Sequence, residues 1–61
     1  MKKYIRVNPL TLKRGDIVRV NNASTWKVRG VNGHSVIADS LRYSDKGPES
    51  LSLKNIFEKE K

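Results

Sequence analysis

Apolar and polar residues alternate along this chain in short stretches, with turn residues between them roughly every 8–12 positions, a spacing that predicts an all-β sandwich or barrel. The first predicted strand covers residues 3–7 and ends at Asn8-Pro9, because proline cannot donate to a ladder. Leu10-Thr11-Leu12 and the turn Lys13-Arg14-Gly15 lead into a second strand at 16–20. A polar loop, 21–25, precedes a third strand at 26–30. A fourth runs from Ser35 through Leu41 and Tyr43, and its apolar phase slips after Ala38, which predicts a bulge near Ser40. Residues 44–48 form a turn, 50–53 a short fifth strand, and 54–57 a single helical turn. The tail Glu58-Lys59-Glu60-Lys61 offers nothing apolar to bury and is expected to fray.

Register follows from keeping the two faces of the sheet distinct. Val31-Asn32-Gly33 is the sharpest turn signal. A two-residue loop there pairs Val28 with Ile37 and mixes apolar and polar residues on both faces. A three-residue loop with Gly33 left-handed pairs Val28 with Val36 and Trp26 with Ala38. One face then carries Trp26, Val28, Val36 and Ala38, and the other Thr25, Lys27, Arg29, Ser35 and Asp39. In the preceding hairpin, pairing Val18 with Val28 and Val20 with Trp26 sets Arg19 opposite Lys27, with Arg29 one step along. Like charges facing each other across strands are unfavourable. A fold has no need of such a pair, but a polyanion site does. The core expected from this pattern is Ile5, Val7, Val18, Val20, Trp26, Val28, Val36, Ala38, Leu51, Leu53 and Ile56.

Composition narrows the class. Sixty-one residues make one domain at most, here 1–57, and a chain of this size buries only about 60% of its unfolded surface. There is no cysteine, so neither disulfides nor cysteine-ligated zinc can staple the fold. No apolar run approaches the roughly 18–20 residues that span a bilayer, and Met1-Lys2-Lys3 lacks the apolar segment of a signal peptide. The expectation is a cytoplasmic protein that makes no contact with membranes.

Charge changes the picture more. The net charge is +7. Residues 1–38 hold eight Lys and Arg against the single acid Asp16, while residues 39–61 hold five of each sign. A positive field on a small sheet attracts polyanions, and nucleic acid, DNA or RNA, is the commonest in a cell.

The run Leu12-Lys13-Arg14-Gly15-Asp16-Ile17-Val18-Arg19-Val20 resembles the opening strand of SH3-like small barrels, including KOW-type domains of ribosomal and transcription-elongation proteins. The resemblance covers residues 12–37. Where the KOW pattern has a Gly-rich stretch, this chain has Asn21-Asn22-Ala23-Ser24, so the resemblance implies the barrel and not the KOW function. In size, charge and a sheet-borne tryptophan the chain is also similar to small archaeal chromatin proteins of SH3-like fold, without aligned motifs. The fold expected is therefore a small five-stranded antiparallel SH3-like barrel with a short C-terminal helical turn.

Arg19, Lys27 and Arg29 lead the candidate binding residues, because a flat basic face can track phosphates. Lys2, Lys3, Arg6, Lys13 and Arg14 extend the patch if the fold brings them to the same side. The bland reading is a solvated face that keeps a small β-protein soluble. Trp26 reads as core, or else as a platform on which a base stacks. Tyr43 and Tyr4 read as ring-exposing strand ends, or as half-buried residues with the hydroxyl in water. The four aromatics are too scattered for a methyl-lysine cage. His34, the only histidine, reads as a solvent-facing turn residue with no partner for a transition-metal site. The carboxylates show no acid–base spacing, no Ser/His/Asp arrangement is present, and the isolated glycines form no phosphate loop. The expectation is a non-catalytic, cofactor-free protein that binds nucleic acid without sequence preference. The alternative is a small interaction module, of a kind common among phage and mobile-element proteins, that docks on an acidic protein. A monomer or a weak homodimer through an edge strand fits either.

Overall fold

The computed structural model describes residues 3–61. It is all-β, with strands β1 (Tyr4–Arg6), β2 (Ile17–Val20), β3 (Ser24–Val31), β4 (Ser35–Ser40), β5 (Pro48–Ser52) and β6 (Phe57–Glu60). Short 3-10 turns lie at Pro9–Thr11 and Ser44–Lys46. The strands form one open sheet in the order β1-β6-β2-β3-β4-β5, with every neighbouring pair antiparallel. Pro48 opens an edge strand, where its missing N–H costs no ladder bond.

The sixth strand is the largest departure from expectation. The helical turn predicted at 54–57 does not form, and the tail does not fray. Phe57 instead starts β6, which inserts between β1 and β2. Two features hold it there. Phe57 is buried opposite Val20. Glu58 faces Arg6 on one side and Arg19 on the other, so an acid sits between two bases across three strands. Favourable charge pairs of this kind are worth about 0.2–1 kcal/mol each.

The core gathers Leu12, Val18, Val20, Val28, Val36, Ala38 and Phe57, with Val7, Trp26, Val31, Leu51 and Leu53 packed against it. Ile5 and Ile56, expected inside, are 48% and 46% exposed. Ile5 shares its sheet position with Lys59 rather than with an apolar neighbour. Ile56 is drawn instead into backbone bonding: its amide donates to the Asn21 side chain and its carbonyl accepts from the Asn21 amide. Leu12 takes a core place because Asn8 caps the 3-10 turn at Pro9 through the Leu10 amide and the chain then turns inward.

Both hairpins keep the predicted faces but shift register by two residues, a change that leaves each side chain on its own side of the sheet. Val28 pairs with Ala38 and Trp26 with Ser40. Val18 pairs with Trp26, and Arg19 lies opposite Thr25 rather than Lys27. The β2–β3 turn is tighter than predicted because Asn21 (φ 54°) and Asn22 (φ 56°) both adopt the left-handed conformation, which asparagine tolerates better than most residues. At the β3–β4 turn Gly33 is not left-handed. The Asn32 side-chain oxygen closes that turn by accepting from the His34 and Ser35 amides at 2.8 and 2.7 Å. The bulge lies in β3 rather than near Ser40. Arg29 is the extra residue between the Val28 and Gly30 pairs, and the slip turns Val31 toward the core. β4 ends at Ser40, whose buried hydroxyl accepts from the Arg42 and Tyr43 amides and turns the chain away.

Candidate functional site

The bulge at Arg29 has a counterpart on β2. The Val28 amide donates to the Asp16 carbonyl, and the Val28 carbonyl accepts from the Gly15 amide, both at 2.8 Å. Two residues thus oppose one, with Gly15 at φ 97°, a conformation that favours glycine. Asp16 fixes the preceding turn by accepting from the Lys13 amide at 2.8 Å. The two irregularities sit side by side and shape a shallow hollow of about 330 Å³ lined by Arg14, Gly15, Lys27, Val28, Arg29 and Asp39. Three of the sequence-predicted cations therefore converge on one spot.

Asp39 is the acid in this hollow, and its carboxylate accepts from Arg29 Nε at 2.6 Å. Arg29 is consequently a held guanidinium, still well exposed, with donors left over. Arg14 and Lys27 are exposed, and among the described residues neither makes an ion pair. Lys13 is exposed next in sequence to Arg14 but does not line the hollow.

Arg19 behaves differently from expectation. Its guanidinium bonds Glu58 at 3.0–3.1 Å and lies 4.5 Å from the centroid of the Tyr4 ring. It is a cross-strand clasp, largely committed inside the molecule. Arg6 is exposed on the far side of Glu58, Lys3 is exposed at the chain end, and Lys2 lies outside the described residues. A third ion pair joins Lys59 to Asp16 at 3.5 Å. The pairs to Glu58 and Asp39 leave the outer face basic but interleaved with acids, while Lys59 and Asp16 meet on the side that Val18 faces.

Tyr43 stands apart, in a larger hollow of about 620 Å³ that also contains Trp26, Arg42, Lys46 and Glu49. The Arg42 guanidinium and the Lys46 ammonium lie 5.5 and 5.0 Å from the Tyr43 ring centroid, within cation–π range. Trp26 is half-buried. It packs against the core, presents part of its ring to this hollow, and donates its indole N–H to the Ser24 hydroxyl at 2.8 Å. Charge alone does not single out Arg42, Lys46 and Glu49, because the second half of the chain is charge-balanced. The signal in the sequence is local: a basic residue immediately before Tyr43 and another three positions after it.

Among the described residues no His, Cys, Asp or Glu cluster gathers that could hold a metal, and no helix is long and apolar enough to cross a membrane. Comparison with protein-family models, with curated proteins and with solved structures gives no match.

Proposed function

We propose that this protein binds nucleic acid without sequence preference and without catalysis, through the hollow formed by Arg14, Lys27 and Arg29. The observation that carries the reading is the convergence of these three cations beside two bulges, with Asp39 already engaged by Arg29. Such a cluster can sit across a phosphate backbone, which carries no base information and admits DNA and RNA alike. A finer fold reading accompanies it, that of an SH3-like barrel. It is supported by the paired bulges, which bend a sheet, and by Val7 beside β1 and Leu51 in β5, which come from opposite ends of the strand order yet pack on one core.

Fluorescence anisotropy with labelled single-stranded DNA, duplex DNA and RNA between about 50 and 200 mM salt tests the reading. The informative variant is Arg14→Gln with Lys27→Gln, which removes charge without reversing it: Lys27 lies opposite Asp39 in the sheet, so a reversal there, as at Arg19 or Arg29, would set like charges side by side and damage the fold. Binding is expected to weaken by tenfold or more, and the slope of log affinity against log salt to shrink by about two, one for each phosphate no longer neutralised. An unchanged slope overturns the reading.

One observation favours a second reading. Ion pairs to Asp39 and Glu58 give the outer face a mixed-sign pattern that suits an acidic protein surface as well as a phosphate chain. Release of all three probes by the upper salt limit, together with a defined partner in a pull-down, supports that reading instead.

A further inference from the structure

The hollow around Trp26 and Tyr43 has a feature the basic hollow lacks, two aromatic side chains, and its walls too are fixed by internal hydrogen bonds. Ser24 accepts from the Trp26 indole, and Ser40 accepts from the Arg42 and Tyr43 amides, so these hydroxyls are already engaged in shaping the site. Its remaining chemistry consists of apolar ring surface, the cationic heads of Arg42 and Lys46, and the Glu49 carboxylate. At about 620 Å³ it falls in the size range that accommodates a drug-sized or nucleotide-sized group. Tyr43 is 48% exposed with two cations near its ring, so an apolar ring stays in contact with water next to positive charge.

Ring surface flanked by cations is complementary to a planar, π-rich group that carries an anion one linkage away. An unpaired nucleotide has that form: a base to stack and a phosphate to pair. A bare phosphate would leave the rings unused and would meet repulsion from Glu49. A base in duplex offers no accessible face. We infer that this hollow takes an unpaired base of a single-stranded nucleic acid, stacked on Trp26 and Tyr43, with its flanking phosphates on Arg42 and Lys46. The inference rests on the nucleic-acid reading above and deepens it: the basic hollow holds backbone of either form, and the aromatic hollow adds a preference for single strands.

Trp26 is the only tryptophan in the chain and lines this hollow, so indole fluorescence reads its surroundings. The wild-type protein, Tyr43→Ala and Arg14→Gln/Lys27→Gln are titrated with a deoxythymidine oligomer and, separately, with duplex DNA. Tyr43 is exposed, so its replacement leaves the core intact, and far-UV circular dichroism checks this. The oligomer is expected to quench Trp26 saturably while the duplex leaves it unchanged. Tyr43→Ala is expected to lose about tenfold in oligomer affinity, the scale of one base-stacking interaction, and to keep its duplex affinity. Equal oligomer affinity in Tyr43→Ala, or binding without any change at Trp26, overturns the inference while leaving the basic hollow standing. Quenching that persists unweakened in the Arg14/Lys27 variant removes the basic hollow and retains this site. Quenching by an acidic peptide and not by the oligomer assigns the hollow to a protein partner and overturns the inference.

Discussion

At the scale of single residues, turn chemistry separates what looks important from what is. Asn32-Gly33 reads as a turn whose glycine is essential. Yet Gly33 is not left-handed, and a methyl group there would meet no atom within 4 Å. The closing bonds come from Asn32, whose side-chain oxygen accepts from the His34 and Ser35 amides and whose amide donates to the Ser35 carbonyl. Gly15 is the reverse case. It too has open space around its Cβ position, but its φ of 97° is one that side-chain-bearing residues adopt only with strain. Gly33→Ala is therefore expected to change stability by less than about 0.5 kcal/mol, the usual range for surface substitutions. Gly15→Ala is expected to cost about 1–3 kcal/mol of backbone strain and to disturb the hollow that Arg14 and Lys27 line. Urea denaturation of the two variants checks the contrast. Equal midpoints would show that the Gly15 bulge is not fixed by its backbone conformation.

At the scale of elements, the decisive piece is β6. Its alternating sequence, Phe57-Glu58-Lys59-Glu60, lacks a second apolar residue and looks like a tail when read alone. It becomes a strand because β1 and β2 present Arg6 and Arg19 on either side of Glu58 and because Phe57 reaches the core. Arg19 and Glu58 are only partly exposed, and Arg19 is additionally stacked on Tyr4. A double-mutant cycle, Arg19→Met against Glu58→Gln, is expected to give a coupling energy of about 0.5–1 kcal/mol that shrinks in high salt. No coupling would mean that burial of Phe57 and backbone pairing alone hold the strand.

At the scale of the whole molecule, the fold closes only when its last residues return. β6 pairs with both β1 and β2, so in that half of the sheet a strand of residues 57–60 lies between two strands from the first twenty residues. A domain of this length has about 3–9 kcal/mol of stability at ordinary values per residue. Loss of a buried phenylalanine costs about 3–5 kcal/mol on its own, before the two ladders are counted. A chain ending at residue 56 is expected to be unfolded at 25 °C, with the circular dichroism of a coil. A cooperative thermal transition in that fragment would overturn this account of the fold.

Local terms could be read from the order of residues alone. Alternation of Val18 with Val20 and of Val36 with Ala38 identified strands and their inward faces, because a side chain's face depends only on its parity along the strand. The charge of residues 1–38 and the candidates Arg14, Lys27 and Arg29 were likewise legible without coordinates. Whatever depends on one strand's position against another needed the folded molecule. A two-residue register shift preserves parity, so face patterning could not detect that Arg19 meets Thr25 and Glu58 rather than Lys27. The slip at Arg29 had a trace in the sequence, since Val28 and Val31 are both apolar three positions apart, but the slip after Ala38 competed with it. The strand at Phe57–Glu60 left no local trace, because its stability comes from partners as distant in sequence as Val20 from Phe57 and Tyr4 from Glu60. The same is true of the two hollows: their cations and rings are scattered through the chain, and bulges and strand pairing bring them together.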